Sequence, residues 1–276
     1  MHSRALARIG TAVSRVPGAQ RFVASGTDAR SARTPADKDI RWFDSKDETV
    51  LVDGIVHRPG ETLIPTLSRK GVGVVKVHLY GTEPDSVLAA TELAQKLAAE
   101  HRASKARVAR FLGPECRDGR GTRIQLKDFR TAVCLAPEGP VRPFAEWPAD
   151  VRGTFADFAE QMASDGFSFL FGQMLDGKVG PVLTTVLGGR VAGAIGPMEI
   201  RPDAIGTPQL MPQYFGVLQE QRGKGLGRLL WRAAMYWGQS NGAAYQLLQT
   251  EVGGPSDRLC RSEGLEALGF THWQAA

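Results

Sequence analysis

Between residues 49 and 100 the apolar positions change their period. Val50-Leu51-Val52 and Ile55-Val56 flank Asp53-Gly54, the pattern of two short strands around a turn. From Gly73 to Tyr80 (GVVKVHLY), Val and Leu interleave with Lys76 and His78, which predicts a half-buried strand. The spacing then turns helical. Val87, Leu88, Thr91, Ala94, Leu97 and Ala98 share one side of a 3.6-residue repeat, with Thr82 placed as cap and Pro84 and Asp85 in the first turn. Thr122 to Leu135 alternates again and reads as one strand or a hairpin; residues 136–143 (APEGPVRP) then read as a linker.

The second half predicts a helix over Pro148 to Ser164 and an apolar core segment at Phe167 to Leu175. A hairpin follows, with Pro181 to Leu187 and Val191 to Ile195 joined at Gly188-Gly189. A strand at Gln213 to Val217, a helix at Arg228 to Trp237, a strand at Ala244 to Val252 and a helix at Ser256 to Leu268 complete the chain. Mixed elements of this kind predict an α/β (α+β) fold. We expect a basic tail over 1–40, an α/β region over 41–136 and a second domain over 137–276.

Composition narrows the class. With 276 residues, 42% of them hydrophobic, the chain can bury a substantial core. A formal charge of +5 suits anionic ligands without calling for nucleic acid. Nine Lys or Arg stand against three acids between His101 and Arg130, but only Phe111 and Phe129 interleave, which reads as a solvated face. Cys116, Cys134 and Cys260 form neither a disulfide framework nor a zinc spacing, so no metal is expected and a reducing, cytoplasmic compartment fits. Residues 1–27 carry four Arg and no acid, so organelle targeting is the alternative. No apolar run is long enough to span a membrane.

The chemistry concentrates after Val217. The strand runs into Arg222-Gly223-Lys224-Gly225-Leu226-Gly227 and then into a helix that begins near Arg228. Glycines let a backbone approach a ligand closely, and the unpaired amides of a helix's first turn attract an anion. Arg222, Lys224 and Arg228 add positive charge. A nucleotide-binding Lys-Ser/Thr ending is absent, and glycines at 223, 225 and 227 do not make the dinucleotide pattern.

Arg-x-x-Gly-x-Gly between a strand and an amphipathic helix resembles the acyl-CoA signature of the GNAT superfamily of N-acyltransferases. The resemblance covers about 182–270. It implies a mixed, mostly antiparallel sheet flanked by helices, with the N-terminal α/β region added to it. It implies acetyl-CoA, or another acyl-CoA, as co-substrate. Backbone groups of Phe215 and Val217 would pair with the pantetheine arm, residues Gly223 to Arg228 would hold the diphosphate, and Ser256 would lie nearby. The family's proton-donating Tyr falls at Leu265 here, a departure; Ser256, Cys260 or water remain as substitutes.

The reaction so implied is acyl transfer to an amine of a small molecule. A protein or peptide amine, or a catalytically silent acyl-CoA sensor or scaffold, stays open. Glu199 and Glu251 are the candidate general bases, with His57 and His272 behind them. Nucleic acid and membrane are not expected as partners, and a homodimer is left open.

Overall fold

The computed structural model describes residues 47–58, 61–81, 84–112, 121–131, 133–203 and 206–276. The expected tail, the Arg-rich start, Cys116 and the expected cap Thr82 lie outside these residues. In chain order the elements are β1 (Glu48–Val50), β2 (Val56–Arg58), β3 (Glu61–Ser68), β4 (Val74–Gly81), α1 (Pro84–Glu100), β5 (Lys105–Leu112) and β6 (Thr122–Asp128). Next come β7 (Val141–Pro143), α2 (Ala149–Gly153), α3 (Phe155–Gln161), α4 (Phe167–Leu175), β8 (Leu183–Leu187), β9 (Arg190–Gly196), β10 (Ile200–Pro202) and β11 (Pro208–Leu210). The chain ends with β12 (Tyr214–Val217), α5 (Leu226–Ser240), β13 (Tyr245–Glu251), α6 (Pro255–Ser262) and β14 (Glu266–Ala275). Most strand pairs are antiparallel; β4 with β5 and β11 with β13 are parallel.

By its internal contacts the chain divides into two compact units. The first holds the described residues up to Leu126, residue 206, and Leu248–Ala276. The second holds Lys127–Asp203 and Thr207–Leu247. β13 therefore gives its first three residues to one unit and the rest to the other.

In the first unit the strands lie in the order β1, β3, β4, β5, β14, β6. α1 is rich in alanine, which costs least to hold in a helix. Ala90, Ala94, Leu97 and Ala98 are its buried stripe, packed on Val75, Val77, Leu79 and Val108. Leu88, expected on that stripe, is 61% exposed instead. β3 and β5 carry no sequence expectation. Pro65 interrupts the first, yet its carbonyl accepts from Leu51 N–H at 3.0 Å. Of the two readings of 122–135, one strand or a hairpin, the structure has the single strand, β6, but it ends at Asp128, whose carboxylate binds Arg130. The last expected helix is also shorter. α6 stops at Ser262, Gly264 turns at φ +76°, and Leu268-Gly269-Phe270 belong to β14.

The second unit contains a four-stranded antiparallel sheet ordered β12, β9, β8, β7. A separate ribbon joins β10, β11 and the first residues of β13, with Gln209 opposite Tyr245 and Leu210 opposite Gln246. One face of the four-stranded sheet carries Phe155, Phe158, Met162, Phe167 and Leu170 packed around Val191 and Ala194. Each such side chain contributes about 1.5–3 kcal/mol by burial. The other face receives α5. At Gly193 an added Cβ would stand 2.9 Å from Leu230 and 3.1 Å from the Gly216 carbonyl, so the bare glycine lets the helix lie close.

Candidate functional site

β12 determines what the second unit offers a ligand. It pairs antiparallel with β9, Tyr214 opposite Gly196 through Val217 opposite Gly193. Leu218 N–H then donates to Ala192 C=O at 3.0 Å. Backbone groups alternate in direction along a strand, so Tyr214, Gly216 and Leu218 face β9 while Phe215 and Val217 face away. Among the described residues no second strand pairs with that outer edge. The Val217 carbonyl confirms the direction, for it accepts the Arg222 Nε–H at 3.1 Å. The side chains of Phe215 and Val217 meanwhile turn to α5: a Cβ on Gly227 would lie 3.5 Å from Phe215 and 3.9 Å from Val217.

Beyond β12 the chain makes a short 3-10 turn at Gln219–Gln221 and extends at Arg222. Gly223 and Gly225 both adopt φ +81°, and Gly225 is the residue that caps α5. An added Cβ at either meets nothing within 4 Å, so the requirement for glycine here is conformational and the space beside it is open. The first bond of the helix runs from Leu229 N–H to Gly225 C=O at 3.1 Å. Helix geometry leaves the amides of Leu226 and Gly227 without an intrahelical acceptor, at the positive end of the helix dipole. No acid occupies that turn. Arg222, Lys224 and Arg228 are exposed around it, Lys224 reaching Gln221 Oε1 at 2.7 Å. The outward backbone groups of Phe215 and Val217 thus lead directly into the loop of Arg222 through Arg228.

The start of β12 is tied to the start of β13. Gln246, fully buried, donates from Nε2 to Gln213 Oε1 at 2.7 Å and to Met211 C=O at 3.4 Å. Past that tie the two strands belong to different sheets, so they share a root and then part. Sequence reasoning did not single out this amide pair; a Gln inside the apolar run of β13 was its one signal. Tyr245, also buried, donates to Asp203 Oδ2 at 2.8 Å, and burial first, then Asp203, raise its phenol pKa beyond reach.

Glu199, one of the two candidate bases, stands just before β10 and outside any strand. Its carbonyl accepts from Met211 N–H at 2.9 Å, and its half-buried carboxylate pairs with Arg201. It therefore sits by the root of β12, at the end away from the glycine loop. Glu251 ends β13 as expected, exposed, in the first unit. Ser256 lies in the first turn of α6, also in the first unit, as do His57, which bonds Thr62 at 3.3 Å, and half-buried His272. Cys260 is buried, and that burial, with nearby Asp257, pushes its thiol up to about 12. Leu265 is buried and apolar. Among the described residues there is no cluster of His, Cys, Asp and Glu fit for a metal, and no helix long and apolar enough to cross a membrane.

In known structures this architecture recurs over nearly the whole chain. A GCN5-related N-acetyltransferase from Sphaerobacter thermophilus is similar with a TM-score of 0.54 at 17% identity, covering 95% of this chain and 93% of that one. A tandem GNAT protein from the clavulanic acid biosynthesis pathway, solved without AcCoA, gives 0.52 at 12% identity, covering 97% and 94%. A GNAT-family acetyltransferase from Colwellia psychrerythraea gives 0.51 at 10% identity, covering 96% of each chain. No family model and no curated protein sequence matches. The fold is that of the GCN5-related N-acetyltransferases. The likeness reaches past 182–270, where the sequence resemblance stops, and takes in the N-terminal region as well.

Proposed function

We propose that this protein moves an acetyl, or other short acyl, group from coenzyme A to the amine of a small molecule. The observation that carries the reading is the outer edge of β12. It presents the backbone groups of Phe215 and Val217 beside a glycine loop and the positive end of α5. A pantetheine arm has amides at the spacing of an added strand, and a diphosphate matches the helix end. Coenzyme A supplies the activated thioester; the chain supplies its alignment.

With the diphosphate beside Gly223 to Gly227, the arm runs along β12 from Val217 toward Tyr214. The thioester then comes near the root of the two strands. There an amine nitrogen attacks the carbonyl carbon, the C–N bond forms and the C–S bond breaks. The outward backbone N–H nearest the root, that of Phe215, stabilises the developing oxyanion. The amine's proton passes to a base, for which Glu199 is the candidate in the second unit. Its pairing with Arg201 holds the side chain in place, and the proton reaches it through water. The leaving thiolate takes its proton from water: Leu265 cannot donate, and a thiol held near 12 is too weak an acid to help.

The aromatic pair Tyr214 and Phe169, with ring centroids 6.2 Å apart, walls the end of the arm. Such a wall favours a compact amine over a long basic peptide. The absence of a proton donor at Leu265 favours one second reading, an acyl-CoA sensor. Thiol release from acetyl-CoA, measured against a panel of small amines and lysine peptides, separates these. Turnover with a small amine supports the proposal. Turnover confined to peptides overturns the acceptor class, and tight binding without turnover turns the reading to the sensor. Calorimetry showing no binding of acetyl-CoA ends it altogether.

A further inference from the structure

We propose that Arg222 makes the diphosphate of the carrier a condition for pairing its arm, so that it selects complete coenzyme A thioesters over shorter ones. The inference rests on the reading above and concerns one hydrogen bond. The outer edge of β12 offers a pantetheine arm the backbone groups of Phe215 and Val217. Of these, the Val217 carbonyl is already taken: Arg222 Nε–H donates to it at 3.1 Å. An arm that pairs along the whole edge competes with that guanidinium for the same carbonyl.

What the arm alone brings cannot compensate well. An amide N–H would replace a charged donor, and hydrogen bonds from charged donors are the stronger ones. A diphosphate changes the balance. It lies at the loop that Arg222 begins, and it offers the guanidinium a doubly charged partner in place of a carbonyl. Arg222 is exposed and its backbone is extended, with φ −66° and ψ 159°, so the side chain is free of the core and can swing. The diphosphate draws Arg222 off Val217, and the carbonyl it vacates takes the arm. The two halves of the carrier then bind cooperatively through one side chain. Thioesters without a diphosphate meet an edge that is partly closed.

Three probes test this on the full chain: acetyl-CoA, S-acetylpantetheine, and inorganic pyrophosphate. In the wild type, saturating pyrophosphate should tighten S-acetylpantetheine about threefold to tenfold, since coupling between two ligands is a shared free energy. Arg222→Met keeps the length of the side chain and removes its donors. It should weaken acetyl-CoA about tenfold and tighten S-acetylpantetheine by a few-fold, with no further gain from pyrophosphate. Effects of opposite sign on the two thioesters are the signature. An Arg222 that merely shapes the loop would weaken both. Should both weaken, or should pyrophosphate leave the wild type's affinity for S-acetylpantetheine unchanged, the inference is overturned. The pyrophosphate arm needs no variant, so a misfolded Arg222→Met cannot spoil it. If acetyl-CoA itself fails to bind the wild type, the functional reading falls instead, and the two failures are distinct.

Discussion

β4, α1 and β5 in the first unit follow the same order as β12, α5 and β13: strand, helix, strand. The first set is zipped. β4 and β5 pair in parallel without interruption from Val74 opposite Lys105 to Leu79 opposite Arg110. The strands of the second set are tied only at their root by Gln246 and then join different sheets. The connections differ in the same sense. α5 begins at two glycines with φ +81° and has no acid in its first turn, whereas α1 begins with Asp85. A cavity of about 270 Å³ does lie at the start of α1, but Glu61, Asp85 and Glu92 line it against one guanidinium, Arg58. Carboxylates at a helix N-terminus satisfy the dipole that an anionic ligand would otherwise use. One plan thus occurs in two forms, a closed version and the open version to which we assign the ligand.

The largest effect should come from loosening the closed unit. Asp257 is 1% exposed in its side chain and binds Arg123 Nε at 2.6 Å, Gly253 N–H at 3.0 Å and Thr250 Oγ1 at 3.3 Å. Asp257→Ala strands Arg123, itself 14% exposed, and should cost about 3–5 kcal/mol in urea unfolding. Burial alone would raise the pKa of Asp257. The Arg123 guanidinium, the Gly253 amide and the Thr250 hydroxyl outweigh it and hold the carboxyl below its ordinary value. A depressed carboxylate contributes stability above its unfolded pKa and loses it as pH falls through the folded one. Wild-type stability should therefore drop below about pH 4, and Asp257→Asn should flatten that limb.

The open unit should break differently. Gly225→Val places a branched side chain at φ +81°, a conformation that costs such residues about 1–3 kcal/mol, while its Cβ meets no neighbour. The loop, not the core, absorbs that strain. Acetyl-CoA should bind at least about a hundredfold more weakly by calorimetry, with the thermal midpoint lowered by only a few degrees. An unchanged affinity would detach the loop from the ligand and end the contrast between the units.

A smaller effect is expected at the root of the strands. Gln246→Leu keeps the volume but leaves Gln213 and the Met211 carbonyl without their donor, at about 1–3 kcal/mol of stability. If the tie sets the angle at which the strands part, kcat with any accepted amine should fall while acetyl-CoA affinity holds, because the loop is intact. Equal losses in both would place Gln246 in general packing.

What could be read from the residues follows the range of the forces involved. The strand, glycine loop and helix from Gln213 to Trp237 are local, and Gly223 and Gly225 mark the left-handed turns between strand and helix. β3 and β5 were hidden for opposite reasons. Pro65 argues against a paired strand, and Lys105, Arg107 and Arg110 break up the apolar signal of a strand in which Val108, Ala109 and Phe111 are buried. β14 shows the deeper limit. Its ten residues fit between β5 and β6, with Thr271 opposite both Phe111 and Thr122, and periodicity carries no information about partners so distant in the chain. The Asp257 and Gln246 bonds belong to the same class. Gln246 was visible as a polar letter among apolar ones and Asp257 was hidden in the polar run Ser256-Asp257-Arg258, and the partners of both, Gln213 and Arg123, emerge only from the fold.

The smallest expected effect bears most directly on the comparison. The wild type should bind one acetyl-CoA per chain, measured as calorimetric stoichiometry. Two barriers bar the first unit from binding another, the acids at the start of α1 and the paired edge of β4. Asp85→Asn with Glu92→Gln removes most of the charge and leaves the pairing of Val74 through Leu79 with β5 untouched. Neither residue is buried, so stability should stay within about 0.5 kcal/mol of the wild type. If strand pairing is what closes this unit, the stoichiometry remains one, since a diphosphate contact alone gives the arm no edge to lie on. A second, weaker site in the double variant would mean that charge had been the barrier and that zipped strands can open for a ligand. Two sites in the wild type would erase the distinction between the units, and with it the reason for assigning the chemistry to β12 alone.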